Sequence, residues 1–255
     1  SYVKYMTEMF KDASTFNQPI GNWNISAVRH MGGMFLGATN FNQDVHRFEG
    51  KWQLQGITLT CNDSPIGATF THQGDTYLVV GNESIKDQTL LDKLEQGQIR
   101  FCTSNVTDMN RLFSNRENFN VDISDWDTSS VEDMSSMFEG ASAFNQNIGE
   151  WDVWLVKSMR SMFARASSFN QPITGWAAPM VTDMSYMFYH ATSFNQDIST
   201  WIVEDLESVD SMFQGASAFD QDLSDLAIVD RVTDYRNFAA GSPLGQNRHH
   251  WPQFQ

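Results

Sequence analysis

Apolar side chains recur at every 25th position along much of this chain, and each period carries a box of the type Met-x-x-Met-Phe. The steps between successive box phenylalanines are all 25 positions except one step of 78, which is 25 plus 53. A unit of this length cannot bury an apolar face alone, so the pattern predicts units that stack and share one core. The box phenylalanines are Phe10, Phe35, Phe113, Phe138, Phe163, Phe188, Phe213 and Phe238.

Within one unit, the spacing predicts a short helix followed by a short strand. In Val131–Ala141 the apolar residues fall at relative positions 0, 3, 6, 7 and 10, which is one face of a helix. Phe144–Trp151 is short, compatible with β-structure and interrupted by Gly149, which favours a strand and a turn. Because the methionines lie on the apolar face, we interpret them as core residues rather than as a metal–thioether site.

We call a set of equivalent residues that recurs with the 25-residue period a column. Two polar columns, one of asparagine and one of glutamine, accompany the aromatic columns. A polar residue repeated at a well-packed position typically satisfies backbone groups of the neighbouring turn, so the asparagine column predicts a structural ladder, with ligand contact as the alternative. The glutamine column has two open interpretations: a ligand-facing amide stripe suited to extended polypeptides or glycans, or a hydrated or interlocking ladder. The asparagines are Asn17, Asn42, Asn120, Asn145, Asn170 and Asn195, and the glutamines are Gln18, Gln43, Gln146, Gln171, Gln196 and Gln221.

The 53-residue interruption differs in pattern from the repeats. Gly67–Thr71 and Thr76–Val80 flank a Gly-containing turn and predict a β-hairpin. A helix start is predicted at Asn82–Ser84, followed by apolar residues at helical spacing until Gly97. The predicted organisation is therefore repeats over 1–48, an inserted module over 49–102, repeats over 103–240 and a degenerate last repeat or cap over 241–255.

The chain has two cysteines, Cys61 and Cys102, and they lie within and at the end of this insertion. We predict that they form a disulfide closing a loop of about 40 residues, which contributes about 3–4 kcal/mol. Two buried free thiols are the alternative. A metal site is disfavoured because two thiolates need two further ligands. A disulfide indicates an oxidising compartment.

Composition excludes several classes. The 255 residues carry 16 basic and 31 acidic side chains, a net charge of −15, which disfavours nucleic acid and anionic membranes as partners. The 13% aromatic content excludes a disordered chain. No apolar run approaches the roughly 18 residues that a membrane span requires.

The repeats VEDMSSMFEGASAFNQNIGEWDV (residues 131–153) and VTDMSYMFYHATSFNQDISTW (residues 181–201) resemble those of BspA-like leucine-rich-repeat surface proteins, in the 25-residue mycoplasma-type lipoprotein version. The resemblance covers everything except the insertion. It implies a curved right-handed solenoid on secreted or cell-surface proteins that serve adhesion and macromolecular binding, without shared catalytic residues. We therefore expect an α/β repeat, a right-handed leucine-rich-repeat-like solenoid of about eight 25-residue coils, with one small α+β insertion.

Acidic and amide side chains suggest two further kinds of site. If units stack in register, Asp44 lies over Asp122 and Asp197 over Asp222, about one strand spacing apart. A hard cation such as Ca²⁺ would relieve this repulsion, the alternative being simple solvation of both carboxylates. No other cofactor is expected.

Glycosylation sequons occur at Asn24, Asn62, Asn82 and Asn105.

These patterns lead to a functional expectation without catalysis. No Gly-x-Ser-x-Gly elbow, His-Glu-x-x-His pair, P-loop or dinucleotide glycine motif is present. We expect a secreted or cell-surface scaffold that recognises protein or glycan. A two-carboxylate hydrolase is a weaker third interpretation.

The alternative is a structural subunit of an extracellular filament or sheath. Ser1–Met6 begins inside a repeat without a polar cap, so further repeats or self-association are expected to cover it. An end-to-end contact that does not close generates a filament.

Overall fold

A computed structural model describes residues 6, 9–10, 13–18, 20, 40, 58–61, 64–227 and 231–254. The chain divides into two compact units, Ser1–Ile57 and Thr58–Gln255. The predicted columns over residues 21–39 and 41–57 lie outside the described residues.

The described part of the first unit has the local geometry of one repeat. The rings of Phe10 and Phe16 stack with centroids 3.8 Å apart. The amide of Ala13 donates to the carbonyl of Phe10 over 3.1 Å, and that of Phe16 donates to the carbonyl of Ala13 over 2.9 Å. The matching pair in the second unit, Phe138 and Phe144, stacks at 3.9 Å, so the same box folds in the same local way.

The second unit begins with a small sheet and one helix. Strand β1 (Thr69–His72) pairs antiparallel with β2 (Asp75–Gly81), and β2 pairs parallel with β3 (Arg100–Asn105) in the order β1-β2-β3. Between β2 and β3 lies helix α1 (Gln88–Glu95). The predicted hairpin is confirmed; its turn places Gln73 and Gly74 at positive φ.

The predicted start of the helix is wrong by several residues. Ser84–Lys86 forms a separate 3₁₀ turn, and α1 begins after Asp87. The Asp87 carboxylate accepts a hydrogen bond from the amide of Leu90 over 3.0 Å, which satisfies one of the free amides at a helix N-terminus. The helix ends before Gly97, as predicted, because its φ of +68° suits glycine.

The predicted disulfide between Cys61 and Cys102 is confirmed. Together with Tyr77 and Val79 these cysteines form a small buried cluster of their own. The Cys61 amide also donates to Ser104 Oγ over 3.0 Å, which ties the segment before β1 to the end of β3.

The inserted module shares its core with the repeats that follow it. Ile85, Leu91 and Leu94 are buried in the same cluster as the repeat residues Phe113 and Phe138. The helix therefore covers apolar side chains at the start of the described repeats, rather than standing apart from them.

Successive repeats in this unit pair through parallel backbone contacts. The amide of Phe138 donates to the carbonyl of Met162 over 2.9 Å, and that of Phe163 donates to the carbonyl of Met187 over 2.9 Å. Both bonds join a residue to the one 24 positions further along. Isolated parallel bridges join residues 25 positions apart, or 26 in the last case, and link Asp108, Asp133, Ser158, Asp183, Ser208 and Asp234 in series.

The predicted stacking of the aromatic columns is confirmed for the described repeats. Ring centroids of consecutive box phenylalanines lie 5.5 Å (Phe138–Phe163), 5.6 Å (Phe163–Phe188) and 5.5 Å (Phe188–Phe213) apart. The second phenylalanine column has centroid spacings between 5.7 and 6.0 Å. These rings are almost completely buried, so each contributes apolar area to one continuous core.

The short helix predicted for each repeat is wrong for the repeats that the structure describes between residues 106 and 227. Residues 131–141 form turns and one isolated bridge. Ser136 and Gly140 have φ of 55° and 71°, in the left-handed region, which breaks a right-handed helix. Their amides bond to the next repeat instead of to the residue four positions earlier. The predicted strand after Phe144 is also wrong: residues 144–148 belong to no strand and are followed by a turn at 149–150.

In the last repeat the box is displaced by one residue. The bridge Ser208–Asp234 joins positions 26 apart, against 25 for Asp183–Ser208. The Phe213 amide accordingly donates to the carbonyl of Phe238, 25 rather than 24 positions on. Ala239 therefore takes the place of the box phenylalanine, and the assignment of Phe238 to that column is wrong. One additional residue before Asp234 causes the displacement.

Candidate recognition surface

The asparagine column forms a ladder on the outside of the repeats. Asn120 Oδ1 accepts a hydrogen bond from the backbone amide of Asn145, and Asn145 Oδ1 accepts from that of Asn170, both over 2.9 Å. Asn170 and Asn195 continue the series, the last accepting from the amide of Asp220 over 3.0 Å. The predicted structural ladder is confirmed from Asn120 to Asn195, while Asn42 lies outside the described residues.

The glutamine column interlocks with this ladder. Gln146 Nε2 lies 3.0 Å from both the backbone oxygen and Oδ1 of Asn120. Gln196 and Gln221 repeat the contact on Asn170 and Asn195, and Gln171 donates to Asn145 Oδ1 over 3.1 Å. The amide groups thus hold neighbouring repeats together, and a ligand-facing role for them stays a prediction. Gln18 is exposed, and Gln43 lies outside the described residues.

Replacing Asn170 by alanine is expected to destabilise the chain by about 1–2 kcal/mol, because the Asn195 amide and Gln196 Nε2 both lose an acceptor. Urea denaturation measures this loss. Asn118→Ala, at an exposed asparagine outside the ladder, is the matched control, with an expected change within about 0.5 kcal/mol. Equal effects of the two variants would contradict a structural role for the ladder.

The three candidate calcium ligands that the structure describes are surface carboxylates. Asp122, Asp197 and Asp222 are exposed, and each accepts a hydrogen bond from the amide two residues further along, over 2.9–3.0 Å. Asp44 lies outside the described residues. Within the part of the chain that the structure describes, no three His, Cys, Asp or Glu residues group as metal ligands, so calcium binding stays a prediction.

In two of the four sequons, those at Asn82 and Asn105, the asparagine side chain is hydrogen-bonded or buried. Asn82 Oδ1 accepts from the amides of Thr107 and Asp108 over 2.8 and 3.1 Å, while its Nδ2 donates to Thr107 Oγ1. Asn105 Nδ2 is buried. A glycan attaches at Nδ2, so both geometries disfavour glycosylation of the folded chain. Asn24 and Asn62 lie outside the described residues.

A buried polar cluster joins the small sheet to the repeat that follows it in the chain. The Tyr77 hydroxyl donates to Asp125 Oδ2 over 2.7 Å, and Arg100 Nη2 lies 3.0 Å from Asp125 Oδ1. Asp125 is only 5% exposed. Burial of the phenol, then its hydrogen bond to Asp125 and the charge of that carboxylate, raises the pKa of Tyr77 to about 12. Sequence analysis missed this cluster, because its members are far apart along the chain and share no pattern.

This raised pKa predicts an alkaline loss of stability. The unfolded phenol ionises near pH 10 while the folded one keeps its proton to about pH 12. The contribution is therefore present below pH 10 and disappears as the pH rises to 12. The difference between a pKa of 10 and one of about 12 corresponds to roughly 2–3 kcal/mol. The measurement is the free energy of unfolding of wild type against Tyr77→Phe from pH 8 to 12. Parallel curves for the two proteins would contradict it.

A second surface, the Arg–Tyr patch, consists of Arg160, Arg165, Tyr186, Tyr189 and His190. Arg160 Cζ lies 4.9 Å from the Tyr186 ring centroid, and Arg165 Cζ lies 5.7 Å from that of Tyr189. The Tyr189 and His190 rings meet edge to face at 4.4 Å. These cation–π contacts hold large side chains in fixed positions on the surface.

At one repeat position, the patch has large residues where the two neighbouring repeats have glycine. Arg165 and His190 have φ of 60° and 54°, at the place that Gly140 and Gly215 hold in neighbouring repeats. A non-glycine residue in this conformation costs about 1–2 kcal/mol. Sequence analysis missed the patch, although the break in the glycine column was visible. Asn115 has the same conformation, with φ of 59°, at the equivalent position of another repeat, so a left-handed non-glycine residue there is not confined to the patch.

Comparison with known proteins gives one match. The chain matches the family described as "Mycoplasma protein of unknown function, DUF285" over residues 1–62, 85–181 and 154–251. This chain belongs to the DUF285 family. No curated protein and no solved structure matches it.

The DUF285 match leaves out residues 63–84, which contain β1 and β2. The hairpin therefore lies outside the segments that match the family, whereas residues 49–62 and 85–102 lie inside them, and the insertion over 49–102 stays a prediction. The overlap of the last two matched segments, over residues 154–181, reflects the repetition within the chain. Among the described residues there is no helix of the length and apolarity needed to cross a membrane.

Within this DUF285 chain, the Arg–Tyr patch borders a shallow groove of about 320 Å³, which Glu139, Ser161 and Ala164 also line. Arg160 Nη1 lies 3.4 Å from Asp183 Oδ2. Arg165 is exposed and has no ion-pair partner among the residues that the structure describes. The patch thus offers an exposed guanidinium beside half-buried tyrosine rings.

Proposed function

We propose that this DUF285 chain is a BspA-like surface protein: a right-handed leucine-rich-repeat-like solenoid that acts as a non-enzymatic scaffold for macromolecular recognition. Stacked 25-residue units support the solenoid. The Cys61–Cys102 disulfide supports a secreted or cell-surface location, since disulfides persist in oxidising compartments.

The Arg–Tyr patch is the observation that carries the recognition role. Interior columns repeat from unit to unit, whereas this exterior site differs on two adjacent units. Tyrosine and arginine are enriched among the residues that dominate protein–protein binding energy. Rigid neighbouring repeats hold the patch residues in place, which reduces the entropy lost on binding.

Arg165→Gly is expected to separate stability from recognition. Glycine removes the left-handed strain at φ 60°, so the variant gains about 1 kcal/mol in the free energy of unfolding. The same change removes the exposed guanidinium, so beads coated with the variant should bind fewer cells or less matrix protein than beads coated with wild type. Lys157→Gln, at another exposed cation outside the patch, is the control with the same charge change.

Three results of this experiment would count against the proposal. Equal adhesion of wild type and Arg165→Gly would overturn the role of the patch. Absence of adhesion by the wild type to any cell or matrix surface would overturn the recognition function. Length-distributed polymers in sedimentation, without adhesion, would favour the structural-subunit alternative.

A further inference from the structure

The box amides of the stacked repeats all point in one direction. Met134, Ser136, Phe138 and Gly140 donate to carbonyl oxygens 24 positions further along, over 2.7–3.1 Å. The units that start at Met109, Met159 and Met184 do the same at equivalent positions. Each box therefore offers four N–H donors towards the C-terminal end of the stack and receives its own bonds from the preceding unit.

In the last described repeat, the equivalent N–H donors have no hydrogen-bond acceptor among the described residues. With the one-residue displacement, the equivalent amides are those of Tyr235, Asn237, Ala239 and Gly241, and Asn237 and Gly241 have the positive φ of the earlier units. None of the four amides has a hydrogen-bond partner in the described structure. Ala239 is buried, whereas the other three residues are exposed.

Aligned donors make this edge electropositive. In ordinary sheets the strand dipoles largely cancel, but here the peptide dipoles of about 3.5 D add from unit to unit. The open N–H groups are the positive end, as at the N-terminus of a helix. Arg236 and Arg248 lie beside them. Arg236 is paired with Asp234 and lies 3.8 Å from Asp210. Arg248 is therefore the cation that adds to this positive end.

A groove of about 560 Å³ runs along the open edge and is lined by Tyr235, Asn237, Arg248 and Trp251 among others. Arg236 already holds Asp234 through two bonds of 2.9 Å. Arg248 Cζ lies 5.0 Å from the Trp251 ring, and no carboxylate among the described residues pairs with it. The groove therefore offers hydrogen-bond donors and one available guanidinium.

We propose that this C-terminal edge binds an extended peptide segment that carries carboxylate side chains. Peptide carbonyls accept from the amides of Tyr235, Asn237 and Gly241, and a carboxylate pairs with Arg248. The edge presents no box carbonyl outwards, so the peptide needs acceptors but no N–H donors, unlike a strand added to an ordinary sheet. This site is separate from the Arg–Tyr patch and goes beyond the proposed function.

Fluorescence anisotropy with labelled octapeptides tests the site on the full chain. A peptide of alternating Asp and Thr is expected to bind roughly ten-fold or more tightly than one of alternating Lys and Thr. Methylation of alternate backbone nitrogens, which removes N–H donors and keeps every carbonyl, should leave the affinity unchanged. Arg248→Gln should weaken binding roughly ten-fold through loss of a charged hydrogen bond, whereas Lys157→Gln, at an exposed cation outside the groove, should not.

Several outcomes would overturn this inference. No binding, or equal binding of the acidic and basic peptides, removes the proposed occupant. Full affinity in Arg248→Gln excludes this groove, and loss of binding on N-methylation indicates an ordinary sheet edge elsewhere. Concentration-dependent dimers in sedimentation that the acidic peptide does not dissociate would assign the edge to a second copy. The Arg165→Gly adhesion experiment is independent of all these results.

Discussion

Replacing Phe163 by alanine is expected to lower the free energy of unfolding by about 3–5 kcal/mol. Phe163 is fully buried, and its ring centroid lies 4.1 Å from that of Phe169 in its own unit. It also stacks between Phe138 and Phe188 of the two neighbouring units. The cavity would therefore remove contacts within one unit and across both of its interfaces. Urea denaturation followed by tryptophan fluorescence measures the change.

A matched control for this change is Ile66→Ala. Ile66 is apolar but 59% exposed, so its truncation is expected to stay within about 0.5 kcal/mol. Comparable losses for Phe163→Ala and Ile66→Ala would contradict a continuous aromatic core through the repeats.

Replacing Asp125 by alanine is the second large expected effect, a loss of about 3–5 kcal/mol. The change leaves the Tyr77 hydroxyl and the Arg100 guanidinium without their shared acceptor in a buried setting. Because Tyr77 lies on β2 and Arg100 on β3, the loss loosens the sheet from the repeats that follow it. Urea denaturation of Asp125→Ala, Tyr77→Phe and the double variant gives the coupling energy between the two side chains.

Asp205→Ala is the control for this second prediction. Asp205 also pairs with an arginine, Arg231, but its side chain is 51% exposed, so solvent screening makes the pair worth little. Additive effects of Asp125→Ala and Tyr77→Phe, or a loss no larger than that of Asp205→Ala, would contradict the role assigned to the buried cluster.

The repeat columns could be predicted from the sequence because identical side chains at a constant spacing have one simple arrangement, each above the last. The bond from Asn120 to Asn145 follows from that arrangement, since a carboxamide at the edge of one unit meets the backbone of the next. The Cys61–Cys102 bridge was predictable for a different reason, as the chain has no other cysteines.

Local backbone conformation was not predictable from apolar spacing. Val131–Ala141 has the spacing of a helix, yet Ser136 adopts a left-handed conformation because its amide bonds to the next unit. The spacing of apolar residues does not show whether a backbone amide bonds within its own unit, as in a helix, or to the next unit. The assignment of Phe238 to the box phenylalanines was wrong for a similar reason. Phe238 lies 25 positions after Phe213, but the additional residue in the last repeat moves the box position to Ala239.

Contacts between distant parts of the chain were also out of reach. Tyr77 and Asp125 are far apart in the sequence and lie in segments with different patterns, so no periodicity joins them. The sequence indicates the Arg–Tyr patch only through the absence of glycine at positions 165 and 190.

The most direct test of the stacked register is NMR measurement of couplings across backbone hydrogen bonds in deuterated protein. We expect couplings from the amide nitrogen of Phe138 to the carbonyl carbon of Met162, and from that of Phe163 to that of Met187, matching hydrogen bonds of 2.9 Å. Equivalent couplings should recur in each described unit. Couplings to carbonyls four residues earlier, as in a helix, or to unrelated positions would contradict the account.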